Sequence, residues 1–194
     1  MKWLALVAVA TCALQGAGCA LTRKSAPVDV HYYSPAITAD VQTTAQGPPR
    51  ARVRLGRITT GSHLRYAIAR RTSAVQLQLY ELDRWTDTPD VYVQRSLEHA
   101  LFEAKPIEQA TSGGGIFLDV DVLAFEEVGS PPAGRVQLRY RLRDNESVLA
   151  ADTVTIVRPS RSARLADVVV AIGSALDAAT AQIAERVLVA LERR

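Results

Sequence analysis

Lysine is found only at Lys2, Lys24 and Lys105, histidine only at His31, His63 and His99, and cysteine only at Cys12 and Cys19. These shortages exclude several kinds of chemistry. Two cysteines cannot build a disulfide framework, and no pair of histidines has metal-ligand spacing. No serine lies in a Gly-x-Ser-x-Gly elbow, so the nucleophile-and-base arrangement of a hydrolase is not written here. No Gly-x-x-x-x-Gly-Lys cradle is present for a nucleotide; Gly113-Gly114-Gly115 lacks the following lysine and reads as a turn. The apolar run Trp3 to Leu14 is also too short to span a bilayer, reaching ~18 Å at ~1.5 Å per residue against a hydrocarbon core of ~30 Å.

What the run does match is the apolar region of an export signal, with Lys2 as its positive start. It leads into Gly16-Ala17-Gly18-Cys19, small residues directly before a cysteine. A lipoprotein signal peptidase accepts only small side chains there, and the cysteine it exposes carries the acyl chains. Cys19 is therefore the candidate lipidation site; an ordinary secretory cut near Ala17 would instead leave it a lone thiol. Several acyl chains hold far better than one. Ala20 follows the cysteine where an aspartate would signal inner-membrane retention, which points to the outer membrane, facing the periplasm. The expected organisation is a signal peptide at 1–18, a tether at 19–30 and one domain at 31–192. The net charge of +3 and pI near 9.1 rest on arginine. An exported protein with that balance meets phospholipid phosphates rather than nucleic acid, so no nucleic-acid partner is expected.

Beyond the tether the hydrophobic period alternates between two and 3.6. Val30–Ser34 reads as a short strand, and Thr38–Pro49 as a loop. Val53 with Leu55, then Leu64, Tyr66 and Ile68, then Val75, Leu77 and Leu79 recur every second residue, as strands do. Thr88 or Asp87 as N-cap before Pro89 begins a helix, with Val93, Leu97, Ala100, Leu101 and Ala104 on one face and Pro106 as its stop. The second half repeats the plan. Ile116 to Ala124, Val136 to Leu142 and Val148 to Val157 form three strands, and Leu165 to about Leu191 a long helix with one continuous apolar stripe. The expected fold is α+β: two antiparallel β-meander-plus-helix halves forming one domain and ending in the long helix.

Tyr32-Tyr33, the short strand patterns at Arg52–Ile58 and Ala67–Arg71, the segment Asp83-Arg84-Trp85 with Pro89 shortly after, Leu97 and Leu101 of the helix, and the strand Leu118 to Phe125 occur in that order from about His31 to Leu191. Together they resemble the ABC-type transport auxiliary lipoprotein family, which includes lipoprotein partners of MCE-domain (mammalian cell entry) lipid-transport systems. The resemblance implies a non-catalytic outer-membrane component without a cofactor. It would work beside an MCE-domain protein and an ABC permease and ATPase, with phospholipid as a further partner, and would assemble as a homo-oligomer. A stand-alone envelope lipoprotein that binds a lipid or assists outer-membrane assembly is the alternative.

Four arginines on alternate or near-alternate positions, Arg135, Arg139, Arg141 and Arg143, are the candidate contact with anionic lipid or an acidic partner. Asp119 and Asp121 lie on the preceding strand and are expected to pair across it with Arg139 or Arg141. Trp85 is expected to plug the junction of sheet and helix. On the long helix, Ala171, Ser174, Ala178 and Ala181 suggest a surface for close subunit contact, or simply a helix-forming alanine face.

Overall fold

The computed structural model describes residues 28–36, 51–111 and 115–193. Cys19, the signal and tether up to residue 27, and the loop at 38–49 lie outside those residues. Eight strands form one mixed sheet: β1 (His31–Tyr33), β2 (Ala51–Thr60), β3 (Ala67–Arg71), β4 (Leu77–Trp85), β5 (Ile107–Gln109), β6 (Ile116–Val128), β7 (Ala133–Arg143) and β8 (Val148–Pro159). Helix α1 (Pro89–Glu98) runs into one wide turn, His99–Glu103, and α2 (Leu165–Glu192) closes the chain.

The α+β class, the single domain and the long C-terminal helix are as expected. The second half is an antiparallel meander, β6–β7–β8, followed by its helix. The first half is joined differently. β2 and β3 do not pair with each other but lie in tandem, parallel, along the edge of β6 that β7 leaves free: Val53 to Thr60 against Ile116 to Val122, then Ala69 to Arg71 against Glu126 to Val128. β4 returns antiparallel to β3, and β1 and β5 add parallel at the two extremities. The two halves thus share one sheet through β6.

Local chemistry accounts for most boundaries. Leu64, expected in a strand, is instead buried in a turn whose amide donates to the Gly61 carbonyl at 2.9 Å. Val75 is exposed at the β3–β4 turn, where the Ser73 hydroxyl accepts from the amides of Val75 and Gln76. Thr88 is the N-cap of α1 and Pro89 its first residue, where a missing N–H costs nothing. The Tyr92 hydroxyl anchors that entry, bonding Thr86 Oγ1 at 2.7 Å and the Asp87 amide at 3.0 Å.

The helices cover one face of the sheet. The stripe Val168, Ile172, Leu176, Ala179, Ile183 and Val187 is fully buried, opposite Val136, Leu138 and Leu142. By length and hydropathy α2 could cross a membrane, but here that stripe is the core of the domain. Trp85, 1% exposed, packs edge-on to Phe125 (5.3 Å between centroids) and Tyr92 (6.1 Å), filling the junction as expected. Between the helices, Thr180 Oγ1 donates to its own helix at Leu176 O, 3.1 Å, and bonds Ser96 Oγ at 2.8 Å. Two short hydroxyl side chains thus let the helices approach without an orphaned polar group.

Candidate functional site

The face of the sheet turned away from the helices is polar, because every second residue of β6 and β7 points there. β7 contributes Arg139, Arg141 and Arg143, β6 contributes Phe117, Asp119 and Asp121, β2 contributes Arg54, Gly56 and Arg57, and β8 contributes Ala151, Asp152 and Thr153. Between them lies an open cavity of about 750 Å³.

The expected carboxylate–arginine pairing is present, with one shift. Asp121 faces Arg139 in register and accepts from its Nε (3.1 Å) and Nη2 (2.8 Å). Asp119 faces Arg141 in register but accepts instead from Arg143 Nε at 2.8 Å. The reason lies in β2. The β2–β6 register shifts between Leu55 and Ile58, and the freed Arg57 amide donates to Asp119 Oδ1 at 2.9 Å. Gly56 makes the room, since a Cβ there would stand 2.1 Å from that oxygen. Arg143 is held further by the Phe117 ring, 4.9 Å from its guanidinium, with Arg54 at 5.7 Å from the same ring.

Both carboxyls sit below their ordinary value of 3.8. For Asp119, burial alone would push it up, and the Arg143 and Arg57 hydrogen bonds with the neighbouring guanidinium charges outweigh that. For Asp121, the hydrogen bonds from Thr59 and Arg139 lead.

Arg135 shares this face of β7 but does not line the cavity. A bulge between Val122 and Ala124 adds a residue to β6, so that Phe125 takes the core place opposite Val136 and Glu126 lies opposite Arg135. Glu126 is completely buried and holds both Arg135 and Arg71, the latter at 2.8 Å. The next residue, Glu127, is buried against the Tyr80 hydroxyl and Arg70. Burial, followed by the Glu127 hydrogen bond, raises the Tyr80 phenol above its ordinary 10.0. Sequence reasoning missed these glutamates. The available signal was a Glu-Glu pair ending an apolar strand, with Arg70-Arg71 ending another.

The Asp83-Arg84-Trp85 segment is equally structural. β4 carries extra residues against β3 between Leu79 and Arg84. The Arg84 guanidinium donates to the carbonyls that this bulge frees: Tyr80 O (2.7 Å), Glu81 O (2.8 Å) and Asp83 O (2.9 Å). Asp83 contacts His31 at 3.3 Å and hydrogen-bonds Tyr33, whose pKa is raised by burial first and by Asp83 second. On α2, Ala171 is buried against β7, so it is not part of a free face; Ser174 and Ala181 are exposed and Ala178 half-buried. Among the described residues no cluster of three or more His, Cys, Asp or Glu side chains is placed to hold a metal.

No curated protein matches the chain. Among solved structures, a protein from Xanthomonas campestris superimposes with a TM-score of 0.73 at 23% identity, over 84% of this chain and 97% of that one. A hypothetical protein from Chlamydia trachomatis does so with a TM-score of 0.52 at 7% identity, over 74% and 99%. At these identities the likeness establishes a shared fold. The model of the ABC-type transport auxiliary lipoprotein component matches residues 35–184, which takes in β2 to β8, α1, most of α2 and the arginine-lined face. The chain belongs to the ABC-type transport auxiliary lipoprotein family.

Proposed function

We propose that this chain is a non-catalytic lipoprotein of an ABC/MCE-type envelope lipid-transport system, anchored through Cys19 at the periplasmic face of the outer membrane. The observation that carries the reading is the family match across residues 35–184. On this reading residues 1–18 are the signal, 19–30 the tether and 31–192 the docking domain. Transport energy comes from a separate ATPase, and the chain completes or docks the periplasmic path toward an MCE-domain protein. The cavity side chains suit binding rather than catalysis, since the carboxylates are ion-paired to arginines and no nucleophile–base pair faces them. Arg139, Arg141 and Arg143 form the contact surface for anionic lipid or partner, with Arg135, on the same face and bonded to Glu126, at its end. Self-association would use the small residues that stay accessible on α2, namely Ser174, Ala178 and Ala181.

One observation favours the stand-alone binding lipoprotein as a second reading: the cavity is complete within a single chain. A pull-down from detergent-solubilised envelope, with full-length protein and Cys19→Ala, separates the two. Recovery of an MCE-domain protein or permease, lost with outer-membrane fractionation in the variant, supports the transport role. Recovery of lipid alone supports the second reading.

A further inference from the structure

The cavity on the open sheet face has acceptors that are already taken and donors that are not. Two aspartate carboxylates face it, and both oxygens of each are engaged. Asp119 accepts from the Arg57 amide and Arg143, and Asp121 from Thr59 and Arg139; Asp152, at the rim, turns its carboxylate to Arg186 on α2. Against them stand five arginines. Two have guanidinium groups with no hydrogen bond or ion pair among the described residues: Arg141, exposed at the middle of the β7 row, and Arg57 on β2. In register Arg141 lies between Asp119 on β6 and Ala151 on β8, so its β8 neighbour is a methyl group that leaves the space beside it open.

We propose that this cavity binds a phosphate group on the glycerol head group of an anionic phospholipid, with Arg141 as the principal ligand and Arg57 as the second. The choice of a lipid as the phosphate's source rests on the lipid-transport reading above; the phosphate site stands on the cavity alone. A guanidinium fork matches phosphate oxygens two at a time, and the flanking Arg139 and Arg143 neutralise Asp121 and Asp119, so that the charge of Arg141 and Arg57 is left for the ligand. At about 750 Å³ the cavity exceeds what a bare phosphate needs, and Leu55, Phe117 and Ala151 offer apolar wall for the carbon skeleton of a head group. An acidic peptide fits less well. An extended chain adds at a free sheet edge, whereas Arg141 lies on β7, an interior strand paired on both sides.

The test is isothermal titration calorimetry on the full-length protein in detergent, with glycerophosphoglycerol, inorganic phosphate and a polyglutamate peptide as probes. Glycerophosphoglycerol is expected to bind, and Arg141→Gln to weaken it by about tenfold or more. Arg57→Gln should weaken it by less, and Arg164→Gln, far exposed and paired with Asp167, should leave it unchanged. Because Arg141 makes no hydrogen bond or ion pair among the described residues and reaches Asp119 and Asp121 only through its charge, its variant should melt close to the parent, which separates lost binding from lost folding. Inorganic phosphate binding as tightly as the diester would uphold the phosphate site and overturn the lipid source. No binding, equal binding by Arg141→Gln, or preference for polyglutamate would overturn the site, whatever the envelope pull-down recovers.

Discussion

Gly134 on β7 and Ile172 on α2 are in backbone contact: a Cβ on Gly134 would stand 2.4 Å from the Ile172 nitrogen and 2.6 Å from the Ala171 carbonyl carbon. The long helix sits as close to the sheet as it does because one strand position has no side chain. Neither neighbour is a flexible side-chain end, so an added methyl must push the helix off the sheet. Gly134→Ala should lower the unfolding free energy by ~3 kcal/mol, at the upper end of overpacking costs. A urea midpoint unchanged from the parent would refute the contact.

Glu126 and Asp121 both bind arginine, yet breaking the two sets of ion pairs should differ greatly in cost. Glu126 is inaccessible and serves Arg71 and Arg135 together, so Glu126→Ala strands two cations and should cost ~3–5 kcal/mol. Arg139→Gln breaks an exposed pair and should cost under ~1 kcal/mol. Denaturant titration of the two variants side by side measures the contrast; similar costs would contradict the assigned burial.

Acid should weaken the cavity wall before the core. Asp119 and Asp121 titrate below 3.8 when folded, so folding favours their charged forms. Their stabilisation is complete above that ordinary value and is lost as pH falls through the lower folded values. The melting temperature of Asp121→Asn should therefore lie below the parent's near neutrality and approach it from about pH 4 downward. A difference constant across pH would refute the linkage.

Arg84 is predicted to act on backbone rather than on any ligand. Arg84→Met removes the donor shared by three bulge carbonyls and should destabilise by ~2 kcal/mol, discounted for its partial exposure. Hydrogen exchange should quicken in β4 and β1 first, while glycerophosphoglycerol affinity stays within about twofold of the parent.

Cys19→Ala should move the protein from the membrane to the soluble envelope fraction, because the acyl chains supply the hold. Membrane association unchanged by the variant would remove Cys19 as the anchor.

Much of the site was legible because period two is a local property of the chain. Asp119 against Arg141 and Asp121 against Arg139 follow from the strands being consecutive and joined by a short turn, so register was nearly determined. The pairing of Arg135 with the buried Glu126 was not legible. It depends on a single extra residue between Val122 and Ala124, and a bulge leaves no mark in an apolar run where both neighbours are hydrophobic.

Taken alone, the sequence determined which residues turn inward. The stripe from Val168 to Val187, the helix start at Pro89, the alternation along β6 and β7 and the plugging Trp85 all follow from spacing, because burial must repeat with the period of the backbone. Tertiary structure decided who stands beside whom. β2 and β3 share one edge of β6 in parallel, Gly56 admits the Asp119 carboxylate, and Arg141 is left without a hydrogen bond or ion pair among the described residues while its neighbours are paired. Such outcomes depend on hydrogen bonds between segments tens of residues apart, and a pattern of period two specifies a face of a strand but not the strand next to it.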